Sequence, residues 1–257
     1  MQPTRYYPQQ KLRAGIYPKL ICYGSYTMLG SVRADYMSLT GTLDGQYALT
    51  AGSLRATGAI RVPTLGGNNI FFYGTSSMRG ILQVNKSVTL LGCYIGDGPI
   101  VCPIVNIEGT ATISGRITAA QITAKGVLSL GMLNAETIRV EFADQSHCTG
   151  LLGKKIIISR KPMPTLLRLF APVRSNQDPK FHVNSSITGE YVSLEHVTVD
   201  TVKGVDVNIG PGCHVNKVFY REHLYIDEEA YVDWYEPYDD PENTPPNAGS
   251  SSGGNVV

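Results

Sequence analysis

The chain has 257 residues, of which 42% are hydrophobic and 17% charged, and its formal net charge is +1. That apolar fraction is enough for an extended core, and the near-neutral balance argues against a broad nucleic-acid-binding surface, which would carry a basic excess. Cys22, Cys93, Cys102, Cys148 and Cys213 are scattered and odd in number, so they do not form the disulfide framework of a small secreted domain.

Residues 1–20 read as an N-terminal extension. The opening Met-Gln-Pro-Thr-Arg-Tyr-Tyr-Pro-Gln-Gln has no apolar h-region, and no later run approaches the roughly 20 apolar residues of a spanning helix. A reduced, cytoplasmic protein is expected.

Residues 21–153 are governed by a period of about seventeen. Gly41, Gly58, Gly74, Gly92, Gly109 and Gly126 are separated by 17, 16, 18, 17 and 17 residues. A second series, Gly80, Gly98, Gly115 and Gly131, is separated by 18, 17 and 16. Short alternating pieces follow many glycines, as in Gly30-Ser-Val-Arg-Ala34, Gly52-Ser-Leu-Arg-Ala56 and Gly58-Ala-Ile-Arg-Val62. Alternation marks strands, since successive side chains point to opposite faces, and a fixed repeat marks a solenoid. Three short strands and three corners per coil predict an all-β, right-handed, triangular parallel β-helix. Val32, Leu43, Leu54, Ile60, Ile113, Ile117 and Ile138 are its expected inward ladder, each stabilising by about 1.5–3 kcal/mol before the entropy of ordering.

Residues 154–182 read as an irregular insertion. They carry Lys154, Lys155, Arg160, Lys161, Arg168, Arg174 and Lys180 against the single acid Asp178, and four prolines interrupt regular structure. The cluster Thr165-Leu-Leu-Arg-Leu-Phe170 lies at its centre. Apolar inserts flanked by bases suit an anionic membrane surface, where each base contributes about 1 kcal/mol. The membrane-contact candidates are therefore Lys154, Lys155, Arg160, Lys161, Leu166, Leu167, Arg168, Leu169 and Phe170. A solvated loop, or packing of the cluster on the β-helix flank, remains open.

Residues 183–235 resume the strand pattern as a closing part of the β-helix. Ile187, Val192, Val197, Val202 and Val207 recur every five residues. The stretch 236–257 turns to Pro, Asp, Asn, Gly and Ser and is expected to be a disordered tail. Eight acids and no base lie between Asp227 and Glu242.

These features resemble the bactofilin-like, polymer-forming cytoskeletal proteins of bacteria. The resemblance covers roughly residues 20–235. It rests on the Gly-x-apolar-x-Ala coils of residues 30–140, on Ile187-Thr-Gly-Glu-Tyr-Val and Val202-Lys-Gly-Val-Asp-Val-Asn-Ile-Gly-Pro-Gly-Cys-His-Val215, and on Val218-Phe-Tyr-Arg-Glu-His-Leu-Tyr-Ile226. It implies a right-handed β-helix that polymerises end to end without nucleotide, some members lying at the inner face of the membrane. The N-terminal segment matches no membrane-anchor motif.

Uncapped solenoid ends agree with self-association, because each leaves an unpaired strand edge beside an open core. Leu29, Val32, Val218, Tyr220, Leu224 and Ile226 are the expected polymer-interface residues. The expected partner is the protein itself, and the membrane surface is a second candidate. No nucleic acid, small-molecule substrate, cofactor or metal is expected. His147-Cys148 and Cys213-His214 hold zinc-ligand types, but neighbours on a strand face opposite ways. Ile209-Gly-Pro-Gly-Cys-His-Val215 is similar to a hexapeptide-repeat turn of β-helix acyltransferases, with His214 as the base and no recognisable supporting acid. An enzyme of that or a carbohydrate-active class, or a non-polymerising adaptor, is the alternative to the structural reading.

Overall fold

The computed structural model describes residues 10–160 and 179–238. Every element among them is a strand, and no helix long and apolar enough to cross a membrane occurs among them. In chain order the strands are β1 (Gln10–Leu12), β2 (Gly15–Met28), β3 (Val32–Asp44), β4 (Leu49–Gly96), β5 (Ile100–Val101) and β6 (Ile104–Ile113). They continue as β7 (Ile117–Phe142), β8 (Ser146–Arg160), β9 (Phe181–Leu194), β10 (Val197–Ile209), β11 (His214–Ile226) and β12 (Tyr231–Pro237). All inter-strand pairings are parallel and neighbouring strands stack in sequence order, giving a β-solenoid of about twelve coils. The strands are long because hydrogen bonding continues around the corners.

The register fixes the coil length. Gly15 pairs with Val32 and Val32 with Leu49, both steps of seventeen residues. Within the coil that starts at Val32, the buried side chains are Val32 and Ala34, then Met37 and Leu39, then Leu43. These three groups mark three sides enclosing one core. All seven residues expected in the inward ladder are buried there. Outward side chains pair across rungs instead: Arg61 with Asp44 at 3.0 Å, Lys125 with Glu141 at 3.1 Å, and the amide of Asn85 with that of Asn68 at 3.2 Å.

Both glycine series prove to be stacked corners. Gly24, Gly41, Gly58, Gly74, Gly92, Gly109 and Gly126 all have φ between +66° and +131°, a region L side chains avoid. A Cβ on Gly41, Gly58, Gly92, Gly109 or Gly126 would collide with the carbonyl oxygen of the glycine one coil earlier. Gly98, Gly115 and Gly131 stack in the same way on Gly80, Gly98 and Gly115. The spacing follows from this contact: a glycine is required wherever one corner carbonyl must pass close to the next.

The ladder is longer than the sequence reading at both margins of its first part. β1 and the start of β2 lie within the expected N-terminal extension, and Gly15 opens a full coil beneath Val32. At the other margin, Lys154, Lys155 and Arg160 belong to β8 rather than to an insertion, because Ile156 and Ile158 fill core positions. The strand therefore runs past the expected start of the insertion, and residues 161–178, where most of it falls, lie outside the described residues. Ser146 pairs with Phe181, a step of 35 residues, whereas Phe181 to Val197 is 16. The ladder resumes at Lys180, whose carbonyl accepts from the Ser146 N–H at 3.2 Å.

Candidate functional site

The two ends are where the regular coil stops satisfying itself. Along the inward columns, Val207 and Ile209 are buried, yet their partners one rung on, Leu224 and Ile226, are only half-buried. Val215 is buried, and Val232 above it is half-buried. β12 covers His214 to Tyr220, and the Tyr238 N–H donates to the Tyr220 carbonyl at 2.9 Å. No strand among the described residues pairs with the outer edge of Leu224–Ile226. Tyr220, Glu222, His223, Leu224, Ile226 and Tyr235 line the resulting recess, of about 480 Å³.

The opposite end has the same character. β1 pairs with Tyr26–Met28, and the Leu29 N–H donates to the Leu12 carbonyl at 2.8 Å. Among the described residues nothing pairs with the outer edge of Gly15–Ser25. Tyr17 and Leu20 are half-buried there, although their partners Ala34 and Met37 are buried. Pro18, Lys19, Ile21, Tyr23, Tyr36 and Ser38 line a recess of about 530 Å³ on this flank. Large apolar side chains are exposed on both end coils: Ile16, Ile21, Tyr23 and Leu29 at one, and Tyr225, Tyr231, Trp234 and Tyr235 at the other.

The expected interface residues divide accordingly. Tyr220, Leu224 and Ile226 stand at the open end. Leu29 is exposed at the corner following the first coil. Val32 and Val218 do not stand at an end. Val32 lies between Gly15 and Leu49, Val218 lies between Val202 and Tyr235, and both are buried because another rung follows them.

The expected basic patch is split by the coil. Lys154 and Lys155 are exposed, with the Lys155 ammonium 5.6 Å from the Tyr191 ring centre. Ile156 and Ile158, which face the core, separate them from Arg160 at the end of β8. Lys161, Leu166, Leu167, Arg168, Leu169 and Phe170 lie outside the described residues.

The histidines are placed by the same columns. His147 and His182 face outward as neighbours in adjacent rungs, and His147 Nε2 lies 2.8 Å from the Ser129 hydroxyl. His214 stacks on Tyr231 with ring centres 4.8 Å apart. Cys148 and Cys213 point inward and are buried, so neither adjacent His–Cys pair converges on one point. Among the described residues, the histidine with a carboxylate partner is His223, whose Nδ1 lies 2.7 Å from Asp206 Oδ1. The sequence reading passed over this pair, although Asp206 and His223 are one coil length apart.

Comparison with protein-family models, curated proteins and solved structures finds no match.

Proposed function

We propose that the chain is a self-assembling structural protein of the bactofilin kind, whose solenoid ends associate with further copies without nucleotide. The observation that carries this reading is the half-buried core column at Leu224 and Ile226, beside a strand edge with no described partner on its outer side. An open parallel edge supplies backbone donors and acceptors in register, and the apolar column beside it favours leaving water. The first coil presents the matching requirement through Tyr17 and Leu20. End-to-end contact of this kind repeats, so it builds a polymer unless two like ends close it into a dimer. The working surfaces are thus the end coils, in a non-enzymatic scaffold within the cytoplasm.

Electron microscopy of the full-length protein at several salt concentrations, without nucleotide, is the direct test. Filaments or end-joined particles that dissociate in Leu224→Lys and Ile226→Lys variants are expected. Monodisperse monomers at every protein and salt concentration, by light scattering and by imaging, would overturn the reading.

A further inference from the structure

Asp206, Glu222 and His223 bring three ligand atoms within 4.8 Å of one another on the outer side of the closing coils. Their convergence depends on a local departure from the ladder. Gly204 pairs with Tyr220, but Asp206 pairs with His223, so β11 spends three steps where β10 spends two. Without that extra residue, Glu222 and His223 would point to opposite faces, as neighbours on a strand do. A bulge re-aims side chains in this way. Here it places two consecutive residues on the same side as Asp206.

We infer that this trio is a binding site for a divalent transition-metal ion such as zinc. An imidazole nitrogen with two carboxylates is a donor set suited to zinc, nickel or cobalt, whereas magnesium and calcium favour all-oxygen shells. His223 Nδ1 and Asp206 Oδ1 are hydrogen-bonded at 2.7 Å, so the two donors are already neighbours, and an ion held by both would take the place of the shared proton. Glu222 has an ion pair to Arg221 at 3.6 Å, too long for a strong hydrogen bond. The His223 and Glu222 side chains are 82% and 55% exposed, so small rotations close the shell and water completes it. Glu222 and His223 also line the recess beside Leu224 and Ile226, so the site borders the open end.

Isothermal titration of the full chain with zinc alone tests the inference, with calcium as the comparison ion. One zinc per chain is expected at this site, with affinity falling about tenfold or more in Asp206→Asn and in His223→Ala, and a smaller loss in Glu222→Gln. Calcium should give no comparable heat. Unchanged circular dichroism confirms that each variant is folded. Two results would overturn the assignment. One is zinc binding undiminished in an Asp206→Asn/His223→Ala double variant, which would place the ion elsewhere, for instance on His147 and His182. The other is absence of saturable zinc binding by the unsubstituted protein.

Discussion

Gly109 lies directly above Gly92 in the corner column, close enough that a Cβ on Gly109 would fall on the Gly92 carbonyl oxygen. Its φ of +122° is also outside the range of L side chains. Gly109→Ala therefore carries both a backbone cost of about 1–3 kcal/mol and a steric one. Gly66→Ala is the matched control, since its φ is ordinary and its Cβ would meet nothing nearer than 3.7 Å. Thermal melts should show a clear drop for Gly109→Ala and little change for Gly66→Ala. Equal melting temperatures for the two variants would refute the stacked-corner account.

That column was the most legible feature of the sequence, because a physical requirement recurs at the same place in successive coils. The inward ladder was legible for the same reason. The limits of the ladder were not. Pro18 and Lys19 obscure the first coil, yet Pro18 sits in the outermost coil, where a missing N–H is tolerated. Misplacing that start put Val32 at an end. Lys154 and Lys155 group by charge with the basic stretch that follows, but Ile156 and Ile158 hold the strand in the core. The trio at Asp206 depends on a one-residue bulge, and a period of seventeen does not disclose an irregularity within one coil.

Ser146 should matter more than an ordinary buried hydroxyl. Its Oγ accepts from the Leu128 N–H at 3.0 Å and donates to the Asp144 carbonyl at 3.0 Å, one coil corner fastened to the coil before. Ser146→Ala removes the hydroxyl that the Leu128 N–H bonds, at a cost of about 1–3 kcal/mol. Ser76 also sits in the core, but it only donates, to Ala56 and Tyr73 carbonyls, and the Tyr73 carbonyl keeps the Thr57 hydroxyl. Ser76→Ala should be the milder variant in urea denaturation. The reverse order would show that the orphaned N–H is not the governing cost.

The thiols should divide by burial. Burial pushes Cys148 up to about 12, and Cys22 and Cys213 to about 11, with Cys102 raised as well. Thiolate is the reactive form, so at pH 8 these four are nearly inert in the folded chain. Cys93 is the cysteine left partly in solvent. Alkylation followed by mass spectrometry should label Cys93 alone in the native protein and all five thiols after denaturation. Prompt labelling of Cys148 without unfolding would contradict its place in the core.

Glu141 should make stability depend on acidity. The Lys125 ammonium at 3.1 Å, joined by Arg139 at 2.9 Å, holds its carboxyl below the ordinary carboxylate value despite partial burial. A depressed folded pKa means that the unfolded chain takes up the proton first as pH falls. The contribution is complete above the ordinary value, about 4.3, and disappears as pH drops through the folded pKa. Since all three side chains are partly solvated, the expected size is a few tenths to about 1 kcal/mol. Glu141→Gln should lower the melting temperature at pH 7, and the gap from the unsubstituted protein should shrink progressively below about pH 4. A gap that stayed constant down to the acid limit would assign the loss to packing instead of to the ionised carboxylate.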